Sequence, residues 1–209
     1  MTVHLDARLE ACAGLVRLDK RIADIGTDHA LLPCKLYQQG ARGLIAADVR
    51  EGPLASARAT IDLYGIPQGE ITTILSDGLE KIPPVDDIVI AGMGGELIGD
   101  IIERCHFLHN GLRFVLQPMT RDFMLRRKLY SIGVEILKEV TAQAKGKTYT
   151  VILAEFTGVK QDVSDIFAFM GKNTDDAYKR KQLAALRKMG KGDSFYLELA
   201  QKIEKGERA

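Results

Sequence analysis

The sequence holds only three cysteines, Cys12, Cys34 and Cys105, far apart and in no paired spacing. An odd, scattered set excludes a disulfide framework and a cysteine-based zinc site, and predicts reduced, buried thiols. No apolar run approaches the roughly 20 residues that a membrane-crossing helix needs. Residues 1–18 interleave charge with apolar side chains, unlike a secretory leader. Internal repeats and low-complexity linkers are absent, and net charge is almost absent at +1. These absences lead to the expectation of a cytoplasmic α/β protein without metal or membrane partner, and a monomer is expected although no sequence feature bears on it. With 46% apolar and 27% charged residues, 209 residues suffice for one ordinary core plus a modest appendage.

The near-zero charge conceals an asymmetry. Residues 1–112 carry 16 acidic and 10 basic side chains, whereas 113–147 carry 3 and 8. A polyanionic partner would therefore meet cationic surface only on the C-terminal half.

Short β-rich runs at 21–25, 43–49, 71–75, 88–91 and 113–117 each end in a polar or glycine-bearing turn. Helical patterns lie between them, at 28–39, 50–64, 95–106 and 120–131. This alternation predicts a parallel sheet with right-handed crossovers. Residues 134–140 and 147–156 then read as two strands joined by a short turn, an antiparallel hairpin. Five parallel strands closed by a hairpin is the class I methyltransferase sheet; a dinucleotide-binding sheet continues with further βα units. Beyond Gly158 the β signal stops. Helices are predicted at 163–170, 175–189 and from 193 or 194 to 205, with Asn173 or Thr174 capping the second and Gly190 ending it. The expected organisation is a cofactor-binding domain over 1–158 and a helical, coiled-coil-like appendage over 159–209.

The chemistry-bearing residues stand where the strands end. Asp24 and Gly26 close the first strand and open a turn through Asp28 and His29. A pyrophosphate-binding turn needs G-x-G-x-x-G, but Asp28 and Leu31 occupy the second and third glycine positions. Asp28 would repel a pyrophosphate, whereas the methionine moiety of S-adenosylmethionine carries an ammonium and tolerates acidic neighbours. Asp48, 22 residues after Gly26, can accept from both hydroxyls of a ribose. Asp77 and Gly78 follow the third strand, where a carboxylate can accept from an adenine amino group. After the fourth strand, Gly92, Met93, Gly94 and Gly95 mark bare backbone meeting a ligand, with helix–sheet packing the alternative for some of these glycines. The Asn/Asp-Pro-Pro-aromatic turn that holds exocyclic amines is missing there, which favours an endocyclic nitrogen as methyl acceptor. Gln117 and Pro118 end the fifth strand; Gln117 offers a donor and an acceptor to a base edge. Arg121 and Arg126 follow, within reach of phosphates.

Together, the motifs at 23–33 (ADIGTDHALLP), 47–49 (ADV), 75–79 (LSDGL), 90–95 (IAGMGG) and 116–119 (LQPM) resemble the TrmK family of bacterial tRNA (adenine-N1)-methyltransferases. The resemblance covers roughly residues 5–157. It implies S-adenosylmethionine as cofactor, tRNA as substrate and the adenosine at tRNA position 22 as target. Lys179, Arg180 and Lys181 resemble a basic stretch of the family's helical appendage. On this reading Asp28 and Gln117 assist chemistry. Asp24, Gly26, His29, Asp48, Asp77, Gly78, Gly92 and Met93 hold cofactor. Gly94, Gly95, Pro118, Arg121, Arg126 and the basic stretch hold substrate. A methyltransferase acting on a small molecule, an NAD-dependent oxidoreductase and a silent RNA-binding module are the rival readings.

Overall fold

The computed structural model describes residues 1–207. Seven strands form one sheet in the order β3-β2-β1-β4-β5-β7-β6. The strands are β1 (Ile22–Ile25), β2 (Leu44–Asp48), β3 (Ile71–Leu75), β4 (Asp87–Gly94), β5 (Arg113–Thr120), β6 (Val134–Ala144) and β7 (Lys147–Phe156). β1 to β5 are mutually parallel. β7 runs antiparallel to β5, and β6 antiparallel to β7. This is the class I methyltransferase sheet that the hairpin ending predicts. The order reverses at β1, so a crevice opens where the chain leaves β1 toward β2 and β4 toward β5.

The central strands are buried on both faces: every residue of β1 and β2 is buried, as the continuous runs IADI and LIAAD require for a covered parallel sheet. One apolar cluster lies under α4 (Gly95–Glu103) and α5 (Asp122–Ser131), built on Ile88, Ile90, Phe114, Leu116, Ile98 and Leu125. The opposite face packs under α2 (Leu31–Gln38) and α3 (Glu51–Leu63), through Leu44, Ala46, Val89, Val115 and Leu36. All three cysteines are buried and unpaired.

Several elements differ from the sequence expectation. Helix α2 begins at Leu31 rather than 28, because Asp28 and Ala30 both lie in the left-handed region (φ 52° each). Strands β4 and β5 continue past Ala91 and Gln117, with register shifts between Ala91 and Gly94. A further helix, α1 (Ala7–Ala13), precedes the sheet; Asp6 caps it by accepting from the backbone N–H of Arg8 and Leu9.

The tail folds into α6 (Asp165–Met170), α7 (Asp176–Met189) and α8 (Ser194–Glu204). Asp175, not Asn173 or Thr174, caps α7, while Asp193 caps α8 and Gly190 ends α7 as expected. Phe169, Leu183, Leu186, Leu199 and Ile203 give the tail an apolar cluster of its own.

Candidate active site

Two cavities meet at the carboxyl edge of the sheet and share Gly26, Asp28, Ala91 and Gly92. One, of about 270 Å³, runs from Asp24 and Thr27 past His29 to Arg8. The other, of about 400 Å³, is bounded by Asp48, Val49, Asp77, Gly78, Leu97 and Ile101. The first is polar and acidic. The second combines two carboxylates with exposed apolar walls, Val49 at 60% and Leu97 at 49% exposure. Exposed apolar side chains lining one cleft suit a flat ring. Two larger cavities, of about 470 and 520 Å³, lie away from the strand ends, between α4 and α5 and within the tail.

The turn after β1 shapes the junction. Gly26 (φ 75°) bonds its N–H to the Ala47 carbonyl at 2.8 Å, and a Cβ there would lie 2.2 Å from the Met93 methyl. Gly26 therefore serves both a left-handed turn and the packing of Met93, which lines the larger of the two cavities. Gly92 (φ 85°) differs: a Cβ built there meets nothing within 4 Å. Its bare face opens on the shared part of the cleft, so a ligand can lie against the backbone.

Asp24 is buried and accepts a 2.7 Å hydrogen bond from the Thr27 hydroxyl. Burial pushes its carboxyl up to about 7; Thr27 works against this and the nearby Asp48 charge adds to it. A buried carboxyl in that state is poised for a cationic partner. Asp48 accepts from the Arg50 N–H at 3.0 Å through one oxygen and borders the cleft. Asp77 lies at the rim beside Arg104, 3.5 Å away. Ser76 stiffens that loop by donating to the Gly78 carbonyl and accepting from the Lys81 N–H. Asp28 and His29 stand together at the lip, 3.6 Å apart and largely exposed.

Several predicted substrate residues are placed otherwise. Arg126 is fully buried, so it cannot touch a phosphate. All five of its N–H donors are engaged. Nε and Nη2 clasp Glu139 at 2.9 and 2.7 Å, Nη1 donates to the carbonyls of Ala168 and Phe169, and Nη2 also donates to the Tyr178 hydroxyl. Gln117 is buried with its amide committed: Oε1 accepts from Arg8 at 3.1 Å and Nε2 donates to the Pro118 carbonyl at 2.9 Å. It does not present a free edge to a base, and Pro118 is likewise buried. Gly95 is a packing glycine, because a Cβ would lie 2.4 Å from the Arg121 carbonyl oxygen. Gly94 faces the Thr120 hydroxyl. Arg121 is exposed but paired with Glu96. Lys179, Arg180 and Lys181 do not form one surface: Lys179 borders the tail cavity, Arg180 faces solvent and Lys181 borders a cavity on the hairpin.

Arg8 is a cleft-lining side chain that the sequence motifs do not reveal. It reaches from α1 into the polar cavity, held by Asp6 at 2.6 Å, and Nη1 touches Gln117 and the Met119 sulfur. A cation beside the acidic turn supplies the partner that a carboxylate ligand requires. Asp6 followed by a helical run was the available signal for α1; nothing local says that α1 crosses the strand ends.

A parallel sheet that reverses its order at β1, closes with an antiparallel hairpin and carries a glycine-lined cleft at its switch point defines a class I methyltransferase. Comparison with known proteins agrees. The chain belongs to the methyltransferase-domain family, whose pattern matches residues 5–152, and within it to TrmK. It is 37% identical over 157 residues to the Bacillus subtilis tRNA (adenine(22)-N(1))-methyltransferase, a match covering 73% of this chain and 66% of that one. Among solved structures it is similar to Mycoplasma capricolum TrmK in complex with S-adenosyl-homocysteine (27% identity, TM-score 0.79, 96% and 95% of the two chains). It is also similar to Streptococcus pneumoniae Sp1610 in complex with S-adenosyl-L-methionine (29%, 0.81, 97% and 99%).

Proposed function

We propose that this protein methylates N1 of an adenine in tRNA, the adenosine at position 22, using S-adenosylmethionine. The single observation that carries the reading is the bipartite cleft, with the bare backbone of Gly92 where its two halves join. When bound, the cofactor supplies an electrophilic methyl group on a sulfonium. Asp24 would hold the ammonium and Arg8 the carboxylate of its amino-acid end. Asp48 would accept from the ribose hydroxyls, and Asp77 with the Gly78 loop would hold the adenine between Val49 and Leu97.

The protein's remaining work is placement. Displacement at carbon needs the nucleophile about 3 Å from the methyl and in line with the leaving sulfur. Adenine N1 already carries an in-plane lone pair, so no base need act first. Transfer leaves the ring cationic, and Asp28 at the lip places a carboxylate near that charge. Methyl transfer thus requires a base delivered edge-on to the lip, and a stacked or paired adenine must first be flipped out, at a few kcal/mol. A monomer is the proposed working unit. No helix among the described residues is long and apolar enough to cross a membrane, and no described cluster of His, Cys, Asp and Glu could hold a metal ion. The cytoplasm, where tRNA is modified, is the proposed location. The tail, with residues 159–209, would help to grip tRNA.

Mass spectrometry of nucleosides from unmodified tRNA incubated with protein and S-adenosylmethionine tests this. The expected product is 1-methyladenosine at position 22; methylation of another base, or of small molecules only, would overturn it. In the same assay Asp28→Ala should slow single-turnover methylation about tenfold or more while leaving cofactor affinity near normal. An unchanged rate would remove Asp28 from the chemistry.

A further inference from the structure

One cavity outside the cofactor cleft combines cationic and flat side chains from both parts of the chain. It measures about 270 Å³ and is lined by Met119 at the end of β5, Lys147, Thr148 and Tyr149 at the start of β7, and Lys181 on α7. Arg8 joins it to the cleft. Its guanidinium lines the methionine-side cavity, lies 5.4 Å from the Tyr149 ring centroid and places Nη1 3.3 Å from the Met119 sulfur. The two cavities therefore share a wall.

We propose that this cavity is a subsite for the nucleotide adjacent to the target adenine, with Lys147 and Lys181 gripping its phosphate. The inference rests on the tRNA reading above and deepens it. Lys147 is exposed and has no carboxylate within salt-bridge distance among the described residues. Lys181 has only Asp122 Oδ2, at 3.9 Å, and otherwise lies over the Tyr178 ring. Two ammonium groups with weak protein partners, beside a hydroxyl, make a receptor for a phosphate diester. Met119, 37% exposed, offers the sugar or base a soft apolar contact. The two lysines come from separate parts of the fold, so the docked tail completes the rim of this subsite. A folded protein partner would find too little surface here, and a small-molecule substrate would have no use for a second cationic cavity outside the cleft.

The test uses the full chain with both lysines replaced, Lys147→Ala together with Lys181→Ala, and the conservative pair Lys147→Arg with Lys181→Arg. KM for tRNA should rise about tenfold or more in the alanine pair. The slope of log affinity for tRNA against log salt should fall by between about 0.7 and 0.9, as expected when one phosphate is no longer neutralised. kcat at saturating tRNA should stay within about twofold, and S-adenosylhomocysteine affinity should not move. The arginine pair should restore KM and slope. If the unaltered protein methylates tRNA and the alanine pair shows its KM and slope, the subsite is wrong while the tRNA reading stands. If the unaltered protein fails to methylate tRNA, both fall.

Discussion

The cofactor edge and the junction between sheet and tail hold their polar groups in opposite ways. At the edge, carboxylates stand near water with oxygens to spare: Asp28 and Asp77 are exposed, and Asp24 is buried with a single hydroxyl partner. At the junction every donor is matched. Beyond the five bonds of Arg126, Glu139 also accepts from Thr150 and from the Lys172 N–H. The Tyr178 hydroxyl donates to Asp122, which also accepts from Gln182. Thr141, Asn173 and Thr150 extend the network, and no buried side-chain polar atom among the described residues lacks a partner. Unused polar capacity marks a place for a ligand, and saturated capacity marks a joint.

The largest expected effect lies at the joint. Arg126→Met leaves Glu139 buried and unpaired, and should cost about 3–5 kcal/mol in denaturant unfolding. Adding Glu139→Leu should recover much of that loss, since a matched apolar pair replaces a matched ionic one. Equal stability of the single variant and the unaltered protein would show that the joint is not a closed network.

A smaller effect is expected at the edge. Asp48→Ala should weaken S-adenosylhomocysteine binding between about 10- and 100-fold by calorimetry, the worth of a charged hydrogen bond or two, without change in tRNA binding. Unchanged affinity would exclude Asp48 from the ribose site and blur the contrast between edge and joint.

The smallest is a pH effect. Asp24 titrates near 7 in the free protein and must ionise to hold an ammonium. Affinity for S-adenosylhomocysteine should therefore rise as pH increases from 5.5 to about 7 and level off above. Because its pKa is raised on folding, the folded chain keeps a proton that the unfolded chain releases. The free protein should lose stability as pH climbs from about 4 to about 7, and no more beyond. Asp24→Asn should flatten both curves. A pH-independent affinity in the unaltered protein would separate Asp24 from the ammonium site.

The same contrast explains what could be read from the amino acids. The edge was legible because each of its residues sits where an apolar strand run breaks into a turn, so Asp24, Gly26, Asp48, Asp77 and Gly92 were placed by local pattern alone. The joint was not. Arg126 belongs to a run of three basic residues that reads as a solvated helix face; its burial is decided by Glu139 and Tyr178, 13 and 52 positions away. Arg8 and the amide of Gln117 escape the local pattern for a related reason. A glutamine at a strand end points to the cleft, but whether its amide is free depends on which side chain a distant helix lays across it. Gly95 shows the limit within the edge itself, since adjacent glycines can serve a ligand or a neighbouring helix, and only the position of Arg121 separates the two.

The central claim is that one cleft, divided at Gly92, clasps a sulfonium nucleoside. A crystal structure of this chain with S-adenosylhomocysteine tests it most directly. The prediction is a ligand whose ribose hydroxyls lie within hydrogen-bond distance of Asp48, whose ammonium reaches Asp24 and whose sulfur lies against Gly92. A ligand bound elsewhere, or lying with its adenine on the Arg8 side, would contradict it.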